Sequence, residues 1–132
     1  MLGRRTEIER ALRAIPLEAS LTARSIPWLP LTRLFDAFAD IHGVGFSKMT
    51  KALYRKRPAL IPILDSVVEA YLADEAPTGS FEARATALVR GYKGDVDRNR
   101  SGLRELRREL AARGHELTEV RILDIVIWSV RR

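Results

Sequence analysis

Between Leu31 and Arg57 the chain places apolar residues at helical intervals on both sides of a single Gly-Val-Gly step. Leu31, Leu34, Phe35, Phe38 and Ile41 fall at i, i+3, i+4, i+7 and i+10, so they share one helix face. His42, Gly43, Val44 and Gly45 break that periodicity. Phe46, Met49, Leu53 and Tyr54 restart it in a second segment that runs to Arg57 and is closed by Pro58. Lys48, Lys51, Arg55 and Arg57 decorate the other faces of this segment. The spacing predicts two amphipathic helices folded back on a tight hairpin, and the apolar stripes of such a unit need further helices to cover them.

The rest of the chain supplies such helices. Glu7 to Ile15 carries Ile8, Leu12 and Ile15 at helical spacing and is stopped by Pro16. Ser20 to Pro30, with Pro27 and Pro30 around Trp28, reads as an extended or irregular connector. The apolar run Ala59 to Leu64 is interrupted by Pro62 and is too short and too broken to predict a strand. Asp65 caps a helix over Ser66 to Ala73, and Asp74 to Ser80 is a loop and the best candidate for flexibility. Ser80 caps a helix over Phe81 to Gly91, and Asp95 starts a charged one that ends at Arg113 before Gly114. Thr118 caps the final helix, which is apolar over most of its circumference and is expected in the middle of a bundle. The expected fold is all-α, a compact bundle of six or seven helices, with the hairpin unit at about 31–57 and one domain over residues 1–132.

Composition narrows the function. A chain of 132 residues is long enough to close one hydrophobic core. It has no cysteine, which excludes disulfides, thiolate-held zinc, iron–sulfur clusters and a cysteine nucleophile. A reducing cytoplasm is the simplest address. Charge runs through the N-terminal MLGRRTEIERALRAI, and no later stretch has the apolar length of a membrane span, so no membrane partner is expected. With 23 Lys and Arg against 17 Asp and Glu, the formal charge is +6. That balance suits a polyanionic partner or is simply a solvated basic surface.

The hairpin sharpens the choice. Gly43 and Gly45 allow backbone angles and close approach that side chains would forbid, and their amides lead into a helix N-terminus, which is the make-up of a phosphate cradle. Lys48 and Lys51, one turn apart, add charge-assisted contacts to neighbouring phosphates. The alternative is a short turn that uses glycine as a helix cap and does nothing more. The run Ile41-His42-Gly43-Val44-Gly45 resembles the Ile/Leu-x-Gly-Val-Gly hairpin of the helix-hairpin-helix family. The resemblance implies double-stranded DNA as partner, gripped by Gly43, Val44, Gly45, Ser47, Lys48, Lys51 and Arg55. It also implies a structural monovalent cation held by the carbonyls of Ile41, Gly43 and Val44, and no other cofactor.

Beyond the hairpin, Arg57 and Pro58 lead to Pro62 and then to Asp65 before an apolar helix. That order is similar to the helix-hairpin-helix DNA glycosylase superfamily, in which Asp65 takes the place of the catalytic aspartate. A fixed carboxylate there would stabilise the positive charge that builds on a sugar as its base leaves, or orient water. Ser47 stands where bifunctional members carry a Schiff-base lysine, with Lys48 one step on, so a lyase is not expected. Asp65 also reads as a plain N-cap for the helix from Ser66, and the two roles are compatible. The marks Gly43-Val44-Gly45, Arg55-Lys56-Arg57-Pro58, Ile61-Pro62, Asp65-Ser66 and Leu123-Asp124-Ile125-x-Ile127-Trp128 resemble, more closely, an actinobacterial family of glycosylase-like helical proteins of unknown function.

Other features point elsewhere. His42 and His115 lie in different loops, a poor basis for a metal centre. Asp95, Asp97 and Asn99 alternate as in a calcium loop, but Arg100 and Leu106 occupy the positions where that loop needs glycine and glutamate. Arg104, Arg107 and Arg108 with Glu105 and Glu109 read as an ion-paired solvated face or as a second phosphate-binding strip. Trp28 and Trp128 are expected in the core, and Asp124, alone on an apolar helix, needs a partner such as an arginine or a helix N-terminus. Three functions follow: a DNA-binding domain that grips the backbone largely without reading sequence, a monofunctional glycosylase using Asp65, or a protein-interaction module with a basic face.

Overall fold

A computed structural model describes residues 2–72 and 78–131. Seven helices follow one another: α1 (Leu2–Arg13), α2 (Trp28–Asp36), α3 (Phe46–Tyr54), α4 (Ser66–Tyr71), α5 (Phe81–Arg98), α6 (Arg100–Ala112) and α7 (Glu119–Arg131). No strand occurs among the described residues. Most of the loop expected over Asp74 to Ser80, and Ala73 at the expected end of α4, lie outside them.

The helix starts follow side-chain chemistry. Asp65 accepts the Val68 N–H, Ser80 the Ala83 N–H and Thr118 the Arg121 N–H, each an N-cap. The α2 helix corrects the expected connector, because Trp28, Leu29 and Pro30 form its first turn, where the missing proline N–H costs nothing. It also ends at Asp36 rather than Ile41, and the chain tightens into successive turns through Ala37 to Asp40.

One apolar core draws on residues from Ile15 to Ile127, with Phe35, Met49, Leu64, Val68, Tyr92 and Ile127 fully buried in it. The central helix is α5, which packs on α2, α6 and α7 and buries Ala85, Leu88, Val89, Tyr92 and Val96. This overturns the break expected between Gly91 and Asp95. A glycine inside a helix costs about 1 kcal/mol, less than the burial gained by continuing the same apolar face through Tyr92 and Val96. Asp95, expected to start a helix, is buried within α5, where it accepts hydrogen bonds from the Tyr71 hydroxyl and from Arg98. The real break falls at Asn99, whose side chain donates to the Asp95 carbonyl at 2.8 Å.

The final helix α7 is correspondingly not central. It packs on α4 and α6 with Val120, Ile122, Leu123 and Ile127, but Ile125, Val126, Trp128 and Val130 are exposed. No helix of the described residues is long and apolar enough to cross a membrane.

Candidate nucleic-acid interface

The segment expected to form the hairpin, between α2 and α3, contains one turn. The Val44 N–H donates to the Ile41 carbonyl at 3.2 Å, and Gly43, third of the four residues, has φ 79°. A type II turn demands positive φ at that position, which favours glycine over any residue with a side chain. Gly45 differs: it is extended, with φ −96° and ψ −168°, and a Cβ there would meet no atom within 4 Å. It stands at the N-cap of α3, so no side chain caps the first amides of that helix. Those of α4, α5 and α7 are capped by Asp65, Ser80 and Thr118. The α3 start therefore presents unsatisfied N–H groups, including that of Ser47, and the positive end of the helix dipole.

Packing then orients the helix. Phe46 sets its ring 4.9 Å from that of Phe81 and lies under the Arg84 guanidinium at 5.2 Å, which ties the start of α3 to the start of α5. Met49, Thr50 and Leu53 face inward and are buried. Lys48, Lys51 and Arg55 fall at i, i+3 and i+7 on the opposite side, exposed, and none forms an ion pair among the described residues. Helix α3 contains no carboxylate that could neutralise them. Arg57, expected beside them on the surface, is instead buried and bonds the carbonyls of Leu12, Ile15 and Lys56. Its fork closes the C-terminal end of α1, where carbonyls lack helical partners.

Lys51 also lines an open cleft of about 440 Å³ with Ile63, Asp65, Arg121 and Trp128. Asp65 is fixed at its wall. One carboxylate oxygen accepts the Val68 N–H at 2.9 Å, and the other accepts the Trp128 indole N–H at 3.0 Å. Trp128 is 40% exposed, which corrects the expectation of core burial: its ring edge is clamped by Asp65 while its surface borders the cleft. Trp28 is half-buried and stacks under Arg90 at 4.4 Å.

Two buried polar groups hold the strap from Leu60 to Asp65 in place. The Thr50 hydroxyl donates to the Phe46 carbonyl at 2.7 Å and accepts the Leu64 N–H at 2.9 Å. Asp124, 1% exposed, accepts the Tyr92 hydroxyl at 2.7 Å and the Ile63 N–H at 3.5 Å, and Arg121 lies 3.9 Å away. Burial pushes the Asp124 carboxyl up to about 6, against the hydrogen bonds from Tyr92 and Ile63 and the charge of Arg121. The Tyr92 hydroxyl is driven well above its ordinary value, by burial first and then by Asp124. Sequence reasoning singled out Asp124 but passed over Thr50, whose signal was a polar side chain on the inward face of α3.

The three carbonyls expected to hold a cation belong to the turn itself, and that of Ile41 already accepts one N–H. His42 and His115 are both exposed, and among the described residues no cluster of histidine or carboxylate side chains could hold a metal. The ion pairs expected within α6 do not form: Arg107 reaches Glu119 on α7 instead, and Glu105 and Glu109 pair with none of the α6 arginines. Asp97 and Asn99 lie at the end of α5 and its cap, not in a calcium loop.

No curated protein matches this sequence, and no solved structure does. A family match runs over residues 1–131, the hairpin, the strap and α7 included. The chain belongs to the DUF6308 family, a family of unknown function.

Proposed function

We propose that this protein binds double-stranded DNA by its phosphate backbone, using the 41–45 hairpin, the uncapped start of α3 and the cationic stripe of that helix. The observation that carries the reading is the combination at α3: among the described residues its first amides have no side-chain cap, and three cations on one exposed face form no ion pair. Gly43, Val44, Gly45 and Ser47 offer amides to one phosphate, and Lys48, Lys51 and Arg55 meet its neighbours. Contacts of this kind are to phosphates and not to base edges, so recognition in this reading is largely independent of sequence. A monovalent cation on the carbonyls of Ile41, Gly43 and Val44 suits the turn, since the Ile41 oxygen keeps a second lone pair, and would add positive charge there.

Gly45→Ala separates this reading from a plain turn. The fold tolerates the added methyl, which meets nothing, but a phosphate pressed against the backbone would not. Fluorescence anisotropy with a labelled duplex at low salt should show weaker binding by the variant at unchanged thermal stability. Equal binding by variant and wild type contradicts the phosphate cradle, and no binding by either points to a protein partner for the basic face.

A second reading, base excision, is favoured by the cleft that continues from Lys51 to Asp65 and Trp128. Each Asp65 oxygen accepts one N–H and retains a further lone pair. Asp65→Asn keeps the helix cap, so in this reading it abolishes release of a damaged base yet preserves duplex binding. Base release undiminished in the variant rejects Asp65 as the reacting group.

A further inference from the structure

Helix α6 carries Arg100, Arg104 and Arg107 at i, i+4 and i+7, which places three guanidinium groups on one side of the helix. With Thr22 and Glu119 they line an open pocket of about 280 Å³ between α6, the start of α7 and the segment around Thr22. Two of the three are pre-positioned. Arg100 donates to the Thr22 carbonyl at 3.0 Å and to Asp97 at 2.7 Å, and Arg107 reaches Glu119 at 3.5 Å. Lys93 reinforces this wall, because it donates to the carbonyls of Leu21 and Ala23 at 2.9 and 3.3 Å and to Asp97 at 3.1 Å. Arg104, between the two anchored arginines, is exposed and has no partner among the described residues.

Against the carboxylates of Asp97 and Glu119, the three guanidinium groups keep an excess of one positive charge, and Lys93 beside Asp97 brings it to two. A phosphate monoester carries close to two negative charges at neutral pH, whereas a backbone phosphodiester carries one. Guanidinium forks match phosphate oxygens in pairs. The volume lies at the lower edge of small-ligand sites, which admits a phosphate with a modest group attached and not a duplex. We infer that the α6 pocket binds a phosphate monoester dianion, with Arg104 as its free donor and Arg100 and Arg107 as its fixed ones. The group comes from a phosphorylated small molecule or from the phosphorylated end of a nucleic-acid strand. This site shares no residue with the α3 stripe and stands independently of the DNA-binding reading.

Titration of the full chain, followed by the NMR resonances of the arginine side chains, tests it with four probes: adenosine monophosphate, its cyclic diester, and one short oligonucleotide with and without a terminal phosphate. Adenosine monophosphate should shift Arg100, Arg104 and Arg107 saturably, and the singly charged cyclic diester should bind about tenfold more weakly. Arg104→Ala, whose fold is checked by an unchanged melting temperature, should weaken the monophosphate about tenfold, with partial recovery in Arg104→Lys. Saturation by the phosphorylated oligonucleotide alone assigns the ligand to strand ends, and saturation by the mononucleotide assigns it to small molecules. No saturable shift with any phosphate monoester up to about 10 mM overturns the site, since weaker binding than that is not specific recognition. Equal affinity of wild type and Arg104→Ala overturns it as well. Alanine at Lys48 and Lys51 should leave this titration unchanged, so loss of the duplex interaction would not imply loss of the pocket.

Discussion

On the outer face of α3, Lys48, Lys51 and Arg55 stand in solvent without a carboxylate, whereas two residues further on Arg57 is only 6% exposed and gives its guanidinium to three carbonyls. The chemical groups are alike and their positions are adjacent. Their surroundings decide what the charge does. Arg57 lies where the end of α1 leaves carbonyls in need of donors, so its charge is consumed inside the fold. Among the described residues the α3 cations form no ion pair, although Lys51 shares its cleft with Asp65, so their charge is open to an external anion. Helix α1 gives a third arrangement, with Arg4, Arg5 and Arg13 on an exposed surface but paired to Glu7, Asp40 and Glu9. Positive charge along α1 and α3 is therefore structural, neutralised or available, and only the last kind bears on the duplex reading.

Removing the structural kind should have the largest effect on stability. Arg57→Ala takes the guanidinium donor from the Ile15 and Lys56 carbonyls, leaves that of Leu12 with only the Ile15 N–H, opens a cavity in the seam, and should cost about 3 kcal/mol in urea denaturation. Duplex affinity measured on the folded fraction should not change. A loss below about 1 kcal/mol would make Arg57 a surface residue in effect and remove the contrast with Arg55.

Asp124 is the buried acid that sharpens the same contrast, because it too is sequestered from any ligand. Its carboxyl is raised from its ordinary 3.8 to about 6, so the folded chain holds that proton more tightly than the unfolded one. The resulting stabilisation is fully present below about pH 4 and is lost as the pH rises through about 6, a change of about 3 kcal/mol. Asp124→Asn cannot lose a proton, so the stability difference between wild type and variant should move by that amount between about pH 4 and about pH 7, in favour of the variant at the higher pH. A difference independent of pH would show that Asp124 titrates as an exposed carboxylate does.

Much of this arrangement was legible in the sequence, for identifiable reasons. The turn before α3 follows from Gly43 at a position of positive φ, the caps from Asp65, Ser80 and Thr118, and the two faces of α3 from residues spaced three and four apart. What escaped depended on neighbours distant in the chain. Arg57 and Lys51 look alike until α1 is packed beside one of them. Trp128 and Ile127 differ only in which side of α7 meets α4 and α6. The continuity of α5 through Gly91 and Asp95 depends on Tyr71 and the core around Tyr92, which no local pattern reveals. At the cleft, Asp65 was visible as a cap and a candidate carboxylate, but its bond to Trp128 joins residues 63 apart in the chain.

The most direct test of available charge is the salt dependence of duplex binding for wild type and for the triple variant K48A/K51A/R55A, with R5A/R13A on α1 as control. Each phosphate contact contributes about −0.9 to the slope of log K against log salt, so the triple variant should lose about 2.7 from the slope and on the order of 100-fold in affinity at low salt. The control should match wild type, and both variants should melt within about 0.5 kcal/mol of it, as exposed substitutions do. Equal slopes for wild type and the triple variant, or equal losses in the triple variant and the α1 control, would contradict the account.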